Sequence, residues 1–156
     1  MREKVVGILG GMGPEATLDF FGKIVKGTKV KTDQEHLRVL IDNNPKVPNR
    51  TLAIQGKGPS SLPELVKSAR VLESAGADFI AIPCVTAHYY YAPLRQSVSI
   101  PILSIVEEPV KAVRSGLKKV RRIGLLATTG TIQSGLFQSA FASSRMDLSL
   151  PDPKAQ

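Results

Sequence analysis

Blocks of apolar residues alternate with amphipathic segments along the chain, and the two kinds of block predict strands and helices in turn. The short blocks are rich in β-branched and aliphatic residues, as is typical of strands buried on both faces of a parallel sheet. The predicted strands run from Val5 to Leu9, Arg38 to Asp42, Asp78 to Ile82, Ile100 to Ile105, Arg122 to Ala127 and Asp147 to Leu150.

Helices are predicted between these strands, because apolar residues recur there at helical spacing. Pro14 followed by Glu15 is a strong start signal, and Gly76 is a fitting C-cap. Turn-rich residues 43–51 predict a long loop without regular structure. The predicted helices run from Pro14 to about Lys26, Pro63 to about Ser74, after His88 to about Gln96, Glu107 to Ser115, and after Thr131 to about Phe141. Strict alternation predicts an α/β fold, a parallel sheet flanked by helices with right-handed crossovers.

Composition excludes several classes of protein. Apolar residues make up 42% of the chain and charged residues 22%, which is the ordinary globular mix and argues against global disorder. The apolar runs are far shorter than the roughly 20 residues that span a membrane, so we expect no membrane association. Cys84 is the one cysteine, which rules out an intramolecular disulfide and favours a cytoplasmic location.

The formal net charge of +8 suggests an anionic partner. The Lys and Arg residues fall in amphipathic segments, so solvated helix faces explain most of them. Aromatic residues are only 5% of the chain, too few for base-stacking platforms, and we expect no nucleic-acid partner. The excess charge still steers small anions towards a cleft.

Three loops at strand ends carry candidate chemistry, because sites in parallel sheets form at the carboxyl ends of strands. The first is Gly10-Gly11-Met12-Gly13-Pro14-Glu15-Ala16. Glycines let backbone N–H groups approach an anion, and the following helix N-terminus attracts it. A loose GxGxxA pattern with Asp42 after the second strand fits a dinucleotide, but a carboxylate loop or a purely structural turn fits equally well.

The second loop is Cys84-Val85-Thr86-Ala87-His88. A cysteine between a strand end and a helix start is expected to be exposed, and the helix N-terminus favours its thiolate. A small buried hydrophobe is the alternative for Cys84, and packing or capping is the alternative for His88. One cysteine and two histidines form no recognisable ligand pattern, so no metal site is predicted.

The third loop is Thr128-Thr129-Gly130-Thr131. Its hydroxyls and N–H groups fit a bound carboxylate and helix capping equally well.

Several motifs in order resemble the aspartate/glutamate racemase family, most closely its aspartate racemase branch. The matching stretches are Gly-Ile-Leu-Gly-Gly-Met-Gly-Pro-Glu-Ala-Thr at 7–17, Asp-Gln-Glu-His at 33–36, Asn-Asn-Pro at 43–45, Pro-Asn-Arg-Thr at 48–51, Gly-Ala-Asp-Phe-Ile at 76–80, Pro-Cys-x-Thr-Ala-His at 83–88 and Leu-Leu-Ala-Thr-Thr-Gly-Thr at 125–131.

The resemblance implies two facing α/β lobes, with residues 1–105 forming the first and 106–156 the beginning of a second, incomplete one. It implies racemisation of an acidic amino acid without pyridoxal phosphate, metal or other cofactor. Cys84 would exchange the α-proton on one face, and a second-lobe thiol would serve the other face. Arg50 would grip a substrate carboxylate, because a guanidinium offers two parallel hydrogen bonds. The other implied substrate-binding residues are Met12, Asn43, Thr51, Thr86, Thr128 and Thr129.

Two departures from the family pattern bear on activity. Val85 stands where the family usually has Asn, and the second-lobe Gly-Cys-Thr motif is absent from the 156 residues, as a truncated second lobe would explain. We therefore expect weak racemisation by this chain and a homodimer as its assembly. The alternatives are a single-cysteine decarboxylase or isomerase of the same superfamily, or a non-catalytic remnant that binds an acidic amino acid. Aspartate and glutamate are not distinguished.

Overall fold

A computed structural model describes residues 3–116, 120–142 and 146–152. A four-stranded parallel sheet with strand order β2-β1-β3-β4 lies at its centre. The strands are β1 Val6–Gly10, β2 Val39–Asn43, β3 Phe79–Ala81 and β4 Ile102–Leu103. The predicted α/β class and parallel sheet are confirmed.

Four α-helices and two 3₁₀ turns connect these strands. Pro14 occupies the first turn of α1 with Glu15 beside it, which suits the helix macrodipole. Gly76 follows the C-cap of α3 at φ +94°, a conformation that glycine adopts freely. The helices are α1 Pro14–Gly27, α2 Arg50–Ile54, α3 Leu62–Ser74 and α4 Tyr91–Gln96, and the 3₁₀ turns are Asp33–Glu35 and Thr86–Tyr90.

The core lies between the sheet and α3. Every residue of β1 is buried, which explains why its sequence is continuously apolar rather than alternating. Burying each large aliphatic side chain stabilises the fold by roughly 1.5–3 kcal/mol. The largest completely buried apolar side chains are Ile8, Leu9, Leu65, Ile80 and Leu94.

A separate two-stranded sheet follows the central one, and we refer to the described residues after β4 as the second unit. Its two parallel strands, β5 Arg122–Gly124 and β6 Asp147–Ser149, pair only with each other in the described part of the chain. The helices of this unit are α5 Glu107–Gly116, α6 Thr129–Ser134 and α7 Leu136–Ala142. In the described ranges no helix has the length and apolar character that crossing a membrane requires.

Four predicted elements differ from the structure. Residues 43–51 are not irregular throughout: Asn49 caps α2 by accepting a hydrogen bond from the Leu52 N–H at 3.1 Å, so regular structure begins at Arg50. The helix predicted to end near Phe141 is two helices, because Gly135 adopts a left-handed conformation at φ +67°. The fourth strand is two residues long rather than six, and the fifth ends at Gly124 rather than at Ala127.

Candidate active site

The three loops singled out in the sequence meet at the carboxyl edge of the central sheet. β1 and β2 end side by side, with Gly10 paired to Asn43. β3 ends at Ala81, three residues before Cys84. α2, α6 and the 3₁₀ turn Thr86–Tyr90 pack against one another above this edge. The topology thus brings residues far apart in sequence to one place.

The glycine loop is closed on itself. Gly11 has φ +91°, and a side chain there would collide with the backbone of Asn44. Its N–H donates to Thr17 Oγ1 at 2.9 Å, so that group is already used inside the protein. This observation favours the structural reading of that amide over an anion-binding one. The neighbouring Met12 is buried in the same apolar cluster as Cys84.

Cys84 is buried, with 9% of its surface exposed, and the expectation of an exposed thiol is wrong. Packing against the cluster that contains Met12, Val47 and Ala87 covers the side chain. Cys84 Sγ lies 3.4 Å from Thr86 Oγ1, so thiol and hydroxyl share a hydrogen bond. The Cys84 N–H donates to the Ile82 carbonyl at 2.8 Å. The thiol is therefore fixed in place and sheltered from bulk water.

Arg50 starts α2 and is half-buried. One terminal nitrogen, Nη1, donates to the carbonyls of Val47 at 3.1 Å and Pro48 at 2.9 Å. Its Nε is buried and has no hydrogen-bond partner among the described residues. A buried donor without a partner is unfavourable, so this edge of the guanidinium is suited to an incoming acceptor.

The third loop folds against α2. Thr128 is the N-cap of α6, and its Oγ1 lies 3.2 Å from Thr131 Oγ1. Gly130 is buried, and a Cβ there would collide with the hydroxyl of Thr51. The exposed residues Thr128 and Thr129 thus stand beside the helix that carries Arg50.

Among the predicted site residues, Arg50, Thr51, Thr86, Thr128 and Thr129 lie on elements that pack together next to Cys84. Asn43 lies at the same sheet edge, paired with Gly10, and is exposed.

The sequence reasoning missed two contacts that hold α6 on α2. Gln55 Nε2 donates to Gln133 Oε1 at 2.7 Å, across 78 residues of sequence. Gly130 approaches Thr51 closely enough to exclude any side chain. The glycine inside a threonine-rich turn was the available signal for the close approach, whereas nothing in the sequence marks the glutamine pair.

His88 is 2% exposed, and burial lowers its pKa below the ordinary value of 6.5 despite nearby carbonyls that raise it. His88 is among the residues that line a cavity of about 490 Å³ between α4, α5 and α7. Cys84 does not line that cavity. Within the described ranges, no three His, Cys, Asp or Glu side chains are grouped as a metal site.

Comparison with known proteins agrees with this architecture. The family model of Asp/Glu/hydantoin racemases matches residues 9–156. The broad specificity amino-acid racemase RacX of Bacillus subtilis is 35% identical over 140 residues, which cover 86% of this chain and 59% of RacX. A glutamate racemase of Aquifex aeolicus is 35% identical over 74 residues, which cover 46% of this chain and 28% of that enzyme.

Solved structures give the same result. The aspartate racemase of Picrophilus torridus superposes with a TM-score of 0.85 at 28% identity, over 97% of this chain and 64% of that one. An aspartate racemase homologue from Pyrococcus horikoshii shares the fold, with a TM-score of 0.76 at 23% identity over 97% of this chain and 66% of that one. The chain thus spans about three fifths of the length of the relatives it matches. On the family match and the shared fold, the chain belongs to the Asp/Glu/hydantoin racemase family.

Proposed function

We propose that this chain carries the first catalytic thiol of a cofactor-independent amino-acid racemase, and that its substrate is an acidic amino acid, aspartate first. The observation that carries the proposal is the buried Cys84, hydrogen-bonded to the half-buried Thr86 at the carboxyl edge of the sheet, next to α2 and its incompletely bonded Arg50. Membership of a racemase family supports the reaction class.

The proposed step is a proton transfer at the α-carbon. The Cys84 thiolate takes the α-proton, the C–H electron pair stays on carbon as a planar carbanion, and the sulfur becomes a thiol. Return of that proton restores the original enantiomer, whereas protonation from the opposite face gives the other one. Inversion therefore needs an acid on each face. The 156 residues hold one cysteine, so a thiol on the opposite face would have to come from a second chain or from outside these residues.

Arg50 is the proposed anchor for a substrate carboxylate. Its Nη1 is held by two carbonyls, which fixes the plane of the guanidinium, and its Nε is left without a partner in the described part of the chain. A carboxylate that accepts from that edge would satisfy the buried donor. The hydroxyls of Thr51, Thr86, Thr128 and Thr129, the Met12 turn and Asn43 complete the proposed pocket.

The test is α-proton exchange of L- and D-aspartate in D₂O, followed by NMR. We expect deuterium incorporation that Cys84→Ala abolishes, with less inversion than exchange. Glutamate and alanine in parallel separate an acidic preference from the broad specificity for which RacX is named. Absence of exchange on every substrate, in a folded protein, would refute the proposal.

The single cysteine favours testing a second function. A decarboxylase or isomerase that needs only one proton donor could work with Cys84 alone. Carbon dioxide release from a substituted malonate, or isomerisation of maleate, would support that function. Dependence on Cys84 in either assay, without α-proton exchange on amino acids, would replace the racemase proposal.

Three further expectations stay predictions. The first is a homodimer, which light scattering tests. The second is a cytoplasmic location, which cell fractionation tests. The third is a division of the chain into two lobes at residue 105. Stabilisation by aspartate without any exchange would instead indicate an acidic-amino-acid-binding protein.

A further inference from the structure

We propose that His88, as the neutral imidazole protonated at Nδ1, is a positioning residue that holds the Cys84 loop and ties it to the connection between β4 and α5. The inference rests on the proposed role of Cys84. It concerns a residue that would act through Cys84 rather than on the substrate.

The tautomer follows from the atoms around the ring. His88 Nδ1 lies 2.9 Å from the carbonyl oxygen of Cys84, and a carbonyl oxygen only accepts, so Nδ1 must carry the hydrogen. The Ile105 N–H donates to Nε2 at 3.1 Å, so Nε2 must be the bare nitrogen. The Leu103 carbonyl also lies 3.4 Å from Nε2, but the shorter bond from the Ile105 N–H requires a bare nitrogen, so the ring is neutral and Nε2 does not donate to Leu103.

The Nδ1 hydrogen bond acts on the backbone of the proposed catalytic residue. Cys84 is held at its N–H by Ile82, at its carbonyl by His88 and at its sulfur by Thr86. Without the bond from His88, the carbonyl of Cys84 is free to rotate, and the Sγ–Oγ1 contact two residues along shifts with it. His88 thus fixes the direction in which the thiol points.

The Nε2 hydrogen bond joins this loop to another part of the chain. Ile105 lies between β4 and α5, where the sheet leads into the second unit. Tyr91 supports the arrangement, because its ring stacks on His88 at 5.8 Å and 14° and its hydroxyl donates to the Ile102 carbonyl at 2.9 Å. One imidazole therefore connects the thiol loop with the start of the second unit.

Two amide variants separate the two nitrogens. In His88→Asn the amide reaches the Nδ1 position and can still donate to the Cys84 carbonyl. In His88→Gln the amide reaches the Nε2 position and leaves that carbonyl without a donor. His36→Gln is the matched control, because His36 lies before β2 at the opposite edge of the sheet and is the only other histidine.

The experiment begins with the unsubstituted protein, in which imidazole ¹⁵N NMR at neutral pH is expected to show His88 protonated at Nδ1. The pH profile of Cys84 alkylation by iodoacetamide is then measured in each variant. We expect His88→Gln to change the rate about tenfold, whereas His88→Asn and His36→Gln stay near the original profile.

An Nε2-protonated ring, or equal profiles for His88→Asn and His88→Gln, would overturn the proposal. The tautomer is measured in the unsubstituted protein, so it still tests the proposal if a variant fails to fold. The alkylation rate is measured without catalytic turnover, so it does not depend on racemase activity. The expected profiles without α-proton exchange would therefore refute the racemase proposal alone, whereas exchange with equal profiles would refute the role of His88 alone.

Discussion

At the scale of single residues, the backbone around Gly11 leaves no room for a side chain. We expect Gly11→Ala to lower the free energy of unfolding by about 1–3 kcal/mol, because the residue has φ +91° and its Cβ would meet the Asn44 backbone. Denaturant unfolding measures the loss. Gly22→Ala is the control, since Gly22 lies inside α1 with open space around it and alanine is the better helix former. Equal effects at the two sites would contradict the close approach.

His88 makes stability depend on pH through its burial. Burial lowers its pKa, so the unfolded chain binds a proton more readily than the folded one. Stability from this group is complete above its unfolded value of about 6.5 and is lost as pH falls below that value towards the lower folded pKa. The neighbouring carboxylate of Glu107 opposes the shift, and Lys111 and Arg114 border the same cavity.

The expected result is a steeper loss of stability as pH falls below about 6.5 in the original protein than in His88→Asn. Denaturant unfolding at several pH values measures it, with His36→Gln as control. A parallel pH dependence in all three proteins would show that His88 does not contribute.

At the scale of secondary-structure elements, α2 and α6 pack closely against each other. Because Gly130 touches Thr51, we expect Gly130→Ala to force the helices apart and lower the free energy of unfolding by about 1–3 kcal/mol. Adding Thr51→Ala should recover part of the loss, since it removes the hydroxyl that the new methyl group meets. Gly124→Ala in β5 is the control, because among the described residues no atom lies within 4 Å of a Cβ at that position.

Much of this arrangement could be predicted from the sequence, and the exceptions have physical reasons. The buried run from Val5 to Leu9 and the proline at the start of α1 specify their elements locally, and both appear within one residue of the predicted positions. The burial of Cys84 and the contact between Gly130 and Thr51 depend on packing between distant segments, which local patterns do not contain. The start of α2 at Arg50 was missed because prolines and asparagines before it dominated the pattern, although Asn49 is itself the cap.

At the scale of the whole molecule, the two units differ in the size of the apolar core that each one buries. The four-stranded sheet is backed by α3 and a continuous apolar cluster, whereas β5 and β6 form a two-stranded ribbon in the described residues. Leu126, two residues beyond β5, is 90% exposed. Two strands alone are marginally stable in water, so the ribbon depends on its packing against α7.

Amide hydrogen exchange should therefore separate the units near residue 105. The Ile80 N–H, bonded to the Pro101 carbonyl at 2.8 Å in the core, is expected to exchange only on global unfolding. The Leu125 N–H, bonded to the Ser149 carbonyl at 2.9 Å, is expected to exchange at least about tenfold faster through local opening of the ribbon. The two bonds have similar lengths, so a difference reports the packing around them rather than the bonds themselves. Equal protection of both amides would show one cooperative unit and would remove the basis for dividing the chain into two lobes.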